Sequence, residues 1–228
     1  VFWMLDGSVL HLRSDFMPGY YCQPLLKDDG SGVLYEDYGW MPSRSVITTV
    51  VIDNALVPVS MSGWFVGCRS LERMVGLSNL DTSLTRDMSN CFCNCPLLQI
   101  NALPDGFGSG AIDMTGTFWG CSSLSLGSLP DGFGSRAESL VGVFGGCSSL
   151  SLEKFPSGFA SNAVDMSRAF HDCTSLTSLV LPDGFASSAK NMYGTFQDCS
   201  SLKSIDLPDG FASQATDMCD CFNGCTSL

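Results

Sequence analysis

The chain has 228 residues, 45% hydrophobic and 15% charged, a composition that excludes a disordered tail. Its 11 Lys+Arg stand against 23 Asp+Glu, and the resulting net charge of −12 repels phosphate backbones and anionic lipid, so no nucleic acid partner is expected. The apolar stretches are short and broken by Ser, Gly and Asp, well under the roughly 20 residues of a membrane helix, so no membrane insertion is expected in this segment. Val1-Phe2-Trp3 is not preceded by a basic n-region or an apolar h-region, so an export signal is expected to have been removed or to lie outside the segment.

The first sixty residues carry no internal period and read as a cap. Val1 to Leu5 and Val9 to Leu12 flank Asp6-Gly7, a strong hairpin signal. Phe16 to Met41, rich in Tyr, Gly and Asp, is expected to be irregular and to cover one end of the core. Ile47-Thr-Thr-Val50-Val-Ile52 has the spacing LxxLxL and is expected to be the strand that joins the cap to the rest of the chain.

From Met61 onward the chain repeats. Cys68, Cys95, Cys121, Cys147, Cys173, Cys199 and Cys225 fall 27, 26, 26, 26, 26 and 26 residues apart. Phe65, Phe92, Phe118, Phe144, Phe170, Phe196 and Phe222 precede them by three, and Leu71, Leu98, Leu124, Leu150, Leu176, Leu202 and Leu228 follow by three. Met61, Met88, Met114, Leu140, Met166, Met192 and Met218 stand seven before each Cys. Fixed apolar columns at such a period mean stacked units, none of which can bury its apolar face alone.

Within one unit the Met, Phe and Cys lie at i, i+4 and i+7, the spacing of one helix face, which predicts a short helix. Ser60, Asp87, Asp113, Ser139, Asp165, Asn191 and Asp217 stand where N-caps would. Leu202-Lys-Ser-Ile205-Asp-Leu207 and Leu176-Thr-Ser-Leu179-Val-Leu181 then carry the LxxLxL strand signature. In Leu98/Ile100/Leu103, Leu124/Leu126/Leu129 and Leu150/Leu152/Phe155 the middle apolar residue comes one place earlier, which predicts a shorter or distorted strand. The extra residue of the first unit lies between Met74 and Leu77, where a bulge is expected to absorb it. Pro104, Pro130, Pro156, Pro182 and Pro208 end the pairing, and the Asp/Ser-Gly-Phe after each is turn chemistry that places Phe107, Phe133, Phe159, Phe185 and Phe211 in a second inward column.

The chemical candidates are few. The Cys column shares the period of the Phe and Leu columns and reads as small buried hydrophobes with free thiols. Cys91-x-Cys93-x-Cys95 and Cys219-x-Cys221 resemble crowded metal ligands, yet zinc sites more often use a two-residue spacer and a second ligand pair. Cys91 and Cys221 share their column with Thr117, Val143, Ala169 and Thr195, a small-residue position broken only by Trp64, so no metal site is expected. His171 falls in a mixed, solvent-facing column two residues from Cys173, a spacing at which the two do not face each other on a helix, so no catalytic pair is expected. The Asp residues of the cap column and of the Pro-Asp-Gly turns lack the Gly-Gly-x-Gly-x-Asp pattern of calcium-binding β-helices and read as caps and turns.

Met-x-x-x-Phe-x-x-Cys-Ser-Ser-Leu at a 26-residue period, with Leu77-Ser-Asn-Leu-Asp-Thr-Ser-Leu-Thr-Arg-Asp-Met88, resembles the BspA-like leucine-rich repeat surface proteins, from about Met61 to the C-terminus. Ile47 to Phe65 also resembles the segment that precedes the repeats in that family. Most units use Leu-Pro-Asp-Gly-Phe where the family form is Leu-Ser-Asn-Phe-Asp-Thr-Ser, which alters the turn and leaves the columns in place. The resemblance implies an exported, non-enzymatic bacterial protein at the cell surface or outside the cell, acting in adhesion or protein interaction through a protein or glycan ligand, with no cofactor and no catalytic site.

The expectation is thus an α/β leucine-rich-repeat solenoid of about six to seven coils, each a short helix plus a short strand, over 61–228, behind a β-rich cap over 1–60. The last copy stops three residues after Cys225, as a fragment of a longer chain would. The candidate partner-binding residues are Gln99, Asn101, Ser125, Ser128, Glu153, Lys154, Thr177, Lys203 and Asp206, which vary between units on the strand face while the core columns do not. They include no aromatic cluster of the kind that dominates interfaces, so a passive spacer is the alternative.

Overall fold

Two positions of each unit decide how its backbone turns. The residue two after the column Met (Gly63, Asn90, Gly116, Gly142, Arg168, Gly194, Asp220) and the residue just before the column Cys (Gly67, Asn94, Gly120, Gly146, Asp172, Asp198, Gly224) all have φ between 53 and 76°. A left-handed residue every four positions cannot lie inside an α-helix. In the computed structural model, which describes residues 1–15, 17–19, 21–22 and 39–228, the run from Met61 to Cys68 and its six counterparts are successions of tight turns. The expected α/β coil with a short helix is therefore corrected to a unit of turns and short strands. Among the described residues the helical pieces are two 3-10 turns, Met41–Ser43 and Leu77–Asn79.

The backbone hydrogen bonds show why this arrangement is stable without a helix. Trp64 N donates to Met61 O at 3.2 Å and Cys68 N to Phe65 O at 3.0 Å, closing two turns. The N–H groups of Met61, Gly63, Phe65 and Gly67 instead leave the unit and donate to the carbonyls of Asp87, Ser89, Cys91 and Cys93 at 2.7 to 2.8 Å. The same set recurs at each step, down to Met192, Gly194, Phe196 and Asp198 donating to Asp217, Cys219, Cys221 and Asn223. Buried donors that a helix would satisfy internally are satisfied by the neighbouring unit. The expected N-caps act in the same turns. Asp87, Asp113, Asp165, Asn191 and Asp217 each accept at Oδ1 from the N–H two residues on, at 2.8 to 3.0 Å, an Asx turn rather than a helix cap. These residues, with Ser60 and Ser139, also form one continuous line of parallel bridges from unit to unit.

Strands occur where the sequence alternates cleanly. β1 (Phe2–Asp6) and β2 (Val9–Arg13) form the expected hairpin, with the turn one residue later than expected, at Gly7-Ser8, Asp6 pairing with Val9 and Gly7 at φ 59°. β3 (Tyr21–Cys22) pairs antiparallel with β1, β4 (Thr49–Ile52) pairs parallel with β2, and β5 (Arg73–Val75) pairs parallel with β4, giving the order β3-β1-β2-β4-β5. β4 thus joins the hairpin to the first repeat. β6 (Ser178–Val180) and β7 (Ser204–Asp206) form a parallel pair further along. The three units whose middle apolar residue comes early have no strand, only a bridge from Lys154 to Val180. There Ile100, Leu126 and Leu152 are buried, so their side-chain alternation is one residue out of step with the neighbouring ladders. Most of the segment Phe16 to Met41 lies outside the described residues.

The added residue of the first unit is absorbed by Gly76 at φ 70°, which leads into the 3-10 turn Leu77–Asn79 rather than a bulge. A Cβ at Gly76 would run into the carbonyl oxygen of Ile52 on β4, a backbone atom that cannot swing aside. Gly76→Val combines that collision with a β-branched residue in left-handed space and is expected to cost on the order of 3 kcal/mol. Gly127→Ala, where nothing lies within 4 Å of the added Cβ, is the control and is expected to be neutral or slightly stabilising. Thermal melts of the two variants check this, and equal melting temperatures would refute it.

The core is a set of columns. Phe65, Phe92, Phe118, Phe144, Phe170, Phe196 and Phe222 stack ring over ring with centroids 5.3 to 5.7 Å apart. The second column lies beside it, with Phe133, Phe159, Phe185 and Phe211 at 5.9 to 6.1 Å. At the N-terminal end Trp3, Trp40 and Trp64 continue the series edge-to-face into Phe65, and Trp40 Nε1 donates to Trp64 O at 2.9 Å. Each column thiol from Cys95 onward donates to the carbonyl of the column Phe in the preceding unit at 3.0 to 3.1 Å. The Cys column is therefore a line of packed, bonded thiols.

Candidate functional site

All nine residues of the strand-face candidate are exposed: Gln99, Asn101, Ser125, Ser128, Glu153, Lys154, Thr177, Lys203 and Asp206. The parallel stacking of units brings several together. Lys203 N donates to Thr177 O at 2.8 Å, Val180 N to Glu153 O at 2.9 Å, and Ser125 Oγ to Asn101 Oδ1 at 3.5 Å. Asp206 ends β7 beside Val180, which is itself 53% exposed. Gln99, Asn101, Ser125 and Ser128 sit instead on segments without strand structure. Among the described residues, Glu153, Lys154, Lys203 and Asp206 make no ion pair with one another or with any other group, so their charges face solvent.

The buried cysteines are held as neutral thiols at neutral pH. Burial pushes the thiols of Cys68, Cys121 and Cys199 up to about 12, and holds those of Cys91, Cys147 and Cys173 well above the ordinary range. Burial thus keeps these thiols protonated at neutral pH and lowers their nucleophilicity. Cys91 and Cys221 are buried in their small-residue column, where Thr117 and Thr195 hydroxyls donate to the carbonyls of Met114 and Met192 at 2.8 Å.

Elsewhere the described surface has two features that sequence reasoning passed over. Arg44 and Arg69, neither in an ion pair with a described residue, line a shallow depression of about 400 Å³ with Ser45, Ser70 and Asn94. His171, Asp172 and Asp198 form the one group, among the described residues, whose metal-donor atoms converge, all within 4.8 Å of one another. The expectation that His171 faces solvent is corrected, since its side chain is only 22% exposed. Trp119, two units away, lies across Gly142 and Gly145 of the unit between, and its ring centroid is 6.3 Å from that of His171. A Cβ at either glycine would collide with the indole, so the empty positions are what let Trp119 reach. The 26-residue period already put Asp172 and Asp198 in the same column of adjacent units; the reach of Trp119 had no signal in any one unit.

Residues 141–228 match, in six copies, the family described as BspA type Leucine rich repeat region. That stretch is a BspA-type leucine-rich repeat region. The BspA-type repeats share their columns with the earlier units from Met61, so the whole series has one architecture. A solved leucine rich cell surface protein from Faecalibacterium prausnitzii A2-165 is 20% identical, with 83% of this chain and 67% of that chain covered and a TM-score of 0.33. No curated protein matches the chain. No helix among the described residues is long and apolar enough to cross a membrane.

Proposed function

We infer that this is a non-enzymatic protein of the bacterial cell surface whose solenoid of BspA-type repeats, behind an N-terminal cap over residues 1–60, binds a protein or glycan ligand on host or neighbouring cells. The observation that carries the reading is the contrast between invariant buried columns and a strand face whose nine exposed residues vary from unit to unit and leave their charges unpaired. A scaffold whose core is satisfied within and between units is free to vary that face without loss of fold. The expected ligand carries acidic groups facing Lys154 and Lys203, and reads the polar side chains between them.

The test is an array of matrix proteins and glycans probed with the purified chain and with the double variant Lys154→Glu/Lys203→Glu. Both substitutions are on exposed positions, so the melting temperature is expected to change little. Binding to the selected array component is expected to fall at least tenfold, and more at low salt than at high salt. A chain that selects nothing from the array would leave the spacer as the function of the repeats, and a double variant that binds as the parent does would overturn the strand face around Lys154 and Lys203 as the binding surface.

A further inference from the structure

We propose that Arg44 and Arg69 form a binding site for a tetrahedral oxyanion, the sulfate or phosphate monoester of a small sugar, at the seam between the cap and the first repeat. Three segments meet there. Arg44 closes the 3-10 turn Met41–Ser43, Arg69 follows Cys68 in the first unit, and Asn94 comes from the second. The stem of Arg44 runs across Gly67, where a Cβ would lie 3.9 Å from Arg44 Cδ and 4.0 Å from its Nε. Its charge also reaches the Cys68 thiol, where it opposes part of the rise that burial causes. Ser70 Oγ donates to Ser45 O at 2.8 Å, a bond that ties the Arg44 segment to the Arg69 segment. Two cationic side chains therefore line one depression of about 400 Å³ on backbones fixed against each other.

A guanidinium does not give up its proton in a protein, so these two like charges repel each other at every working pH. The chain has 23 acidic residues against 11 Lys+Arg, yet neither arginine pairs with a described carboxylate. Arginines elsewhere show the contrast. Arg13 pairs with Asp15, Arg86 Nη1 donates to the Gly110 carbonyl at 3.1 Å, and Arg168 lies over the Tyr193 ring at 5.3 Å. A concave spot where the fold gathers two cations and leaves them unmatched is a place of positive potential on an acidic molecule, and it attracts an anion from solution.

The donors select the kind of anion. Each guanidinium presents a planar fork of N–H groups, and the Ser45 hydroxyl and the Asn94 amide, which has a second N–H beyond the one it gives to Cys93 Sγ, add to them. A planar carboxylate is satisfied by a single arginine fork, which would leave the other cation unmatched. A sulfate or phosphate ester has free oxygens pointing in several directions and accepts from both forks at once. A depression of about 400 Å³ is of the size that holds a small molecule, which leaves room for the carrier of the ester. Apart from Val66 the side chains around it are polar, which suits a hydroxylated carrier such as a sugar. None of these residues belongs to the strand face, so failure of this site would leave the reading above untouched, and the reverse also holds.

The experiment follows calorimetric titration and melting temperature of the whole chain with the sulfate and phosphate esters of the galactose primary hydroxyl, with inorganic sulfate and phosphate, and with glucuronic acid as the planar control. Ionic strength is held constant with sodium chloride, so that screening does not differ between arms. The parent is expected to bind at least one ester saturably, to melt at a higher temperature with it, and to bind the inorganic ion and glucuronic acid at least tenfold more weakly. Arg44→Gln and Arg69→Gln are each expected to weaken ester binding at least tenfold while melting as the parent does without ligand, since both positions are exposed. Lys154→Glu/Lys203→Glu is expected to bind the ester as the parent does. An inorganic ion bound as tightly as its ester would overturn the sugar as the carrier. Absence of saturation with every oxyanion, glucuronic acid bound as tightly as the esters, or a glutamine variant that binds as the parent does would each overturn the site.

Discussion

Raising the pH from about 8 to about 10 is expected to remove on the order of 4 kcal/mol of stability through Cys68, Cys121 and Cys199 alone. Burial pushes these three thiols up to about 12 from an ordinary value of 9.0. Between those values the unfolded chain has released protons that the folded chain still holds. Stability rises with pH only where the unfolded state binds more protons, so here it falls, by about 1.4 kcal/mol per pH unit for each thiol. The contribution is fully present below about pH 9, and one unit above that value three thiols together account for the stated loss. Cys91, Cys147 and Cys173, displaced in the same direction, steepen the decline. Urea midpoints measured at pH 7, 9 and 10 check the expectation. Cys121→Ser retains a donor to the Phe92 carbonyl and removes one titrating group, so its decline above pH 9 should be shallower than that of the parent by one thiol's share. Midpoints that do not move between pH 7 and 10, or a variant with the parent's slope, would show that the column is not buried as described.

Phe170→Ala is expected to cost about 3 to 5 kcal/mol, because it deletes a fully buried ring from the middle of the stack. Phe144 and Phe196 lie above and below at 5.7 and 5.4 Å, and Phe155 meets the same ring edge-on at 5.4 Å. All three belong to units held in place by their own ladders of hydrogen bonds, so the cavity cannot close by a local shift. The damage also crosses units, since each is stabilised chiefly by its neighbours. His171→Ala, one residue along and part-exposed, is expected to cost less than about 1 kcal/mol. Comparable urea midpoints for the two variants would contradict the assignment of the inward face.

The period of 26, the Phe, Cys and Leu columns, the hairpin at Asp6-Gly7 and the loss of regular strand in the three out-of-step units are all legible in the sequence. Each rests on side chains that must be buried wherever the backbone goes, or on turn residues with a strong local preference. The helical reading fails for a physical reason. Apolar residues at i, i+4 and i+7 face one way in an α-helix and also in two successive turns closed by left-handed residues. Side-chain spacing cannot say where the backbone N–H groups donate, and here the acceptors belong to the next unit, 25 or 26 residues away. Gly, Asn and Asp recurring two after the Met and one before the Cys are the sign against a helix, since these residues enter left-handed space most easily and suit a helix interior poorly. His171 differs in kind. Its surroundings depend on Trp119 reaching over two glycines of an intervening unit, and on Asp198, brought beside it by stacking. Columns assign a residue to a face of its own unit; only the register between units decides which atoms meet there.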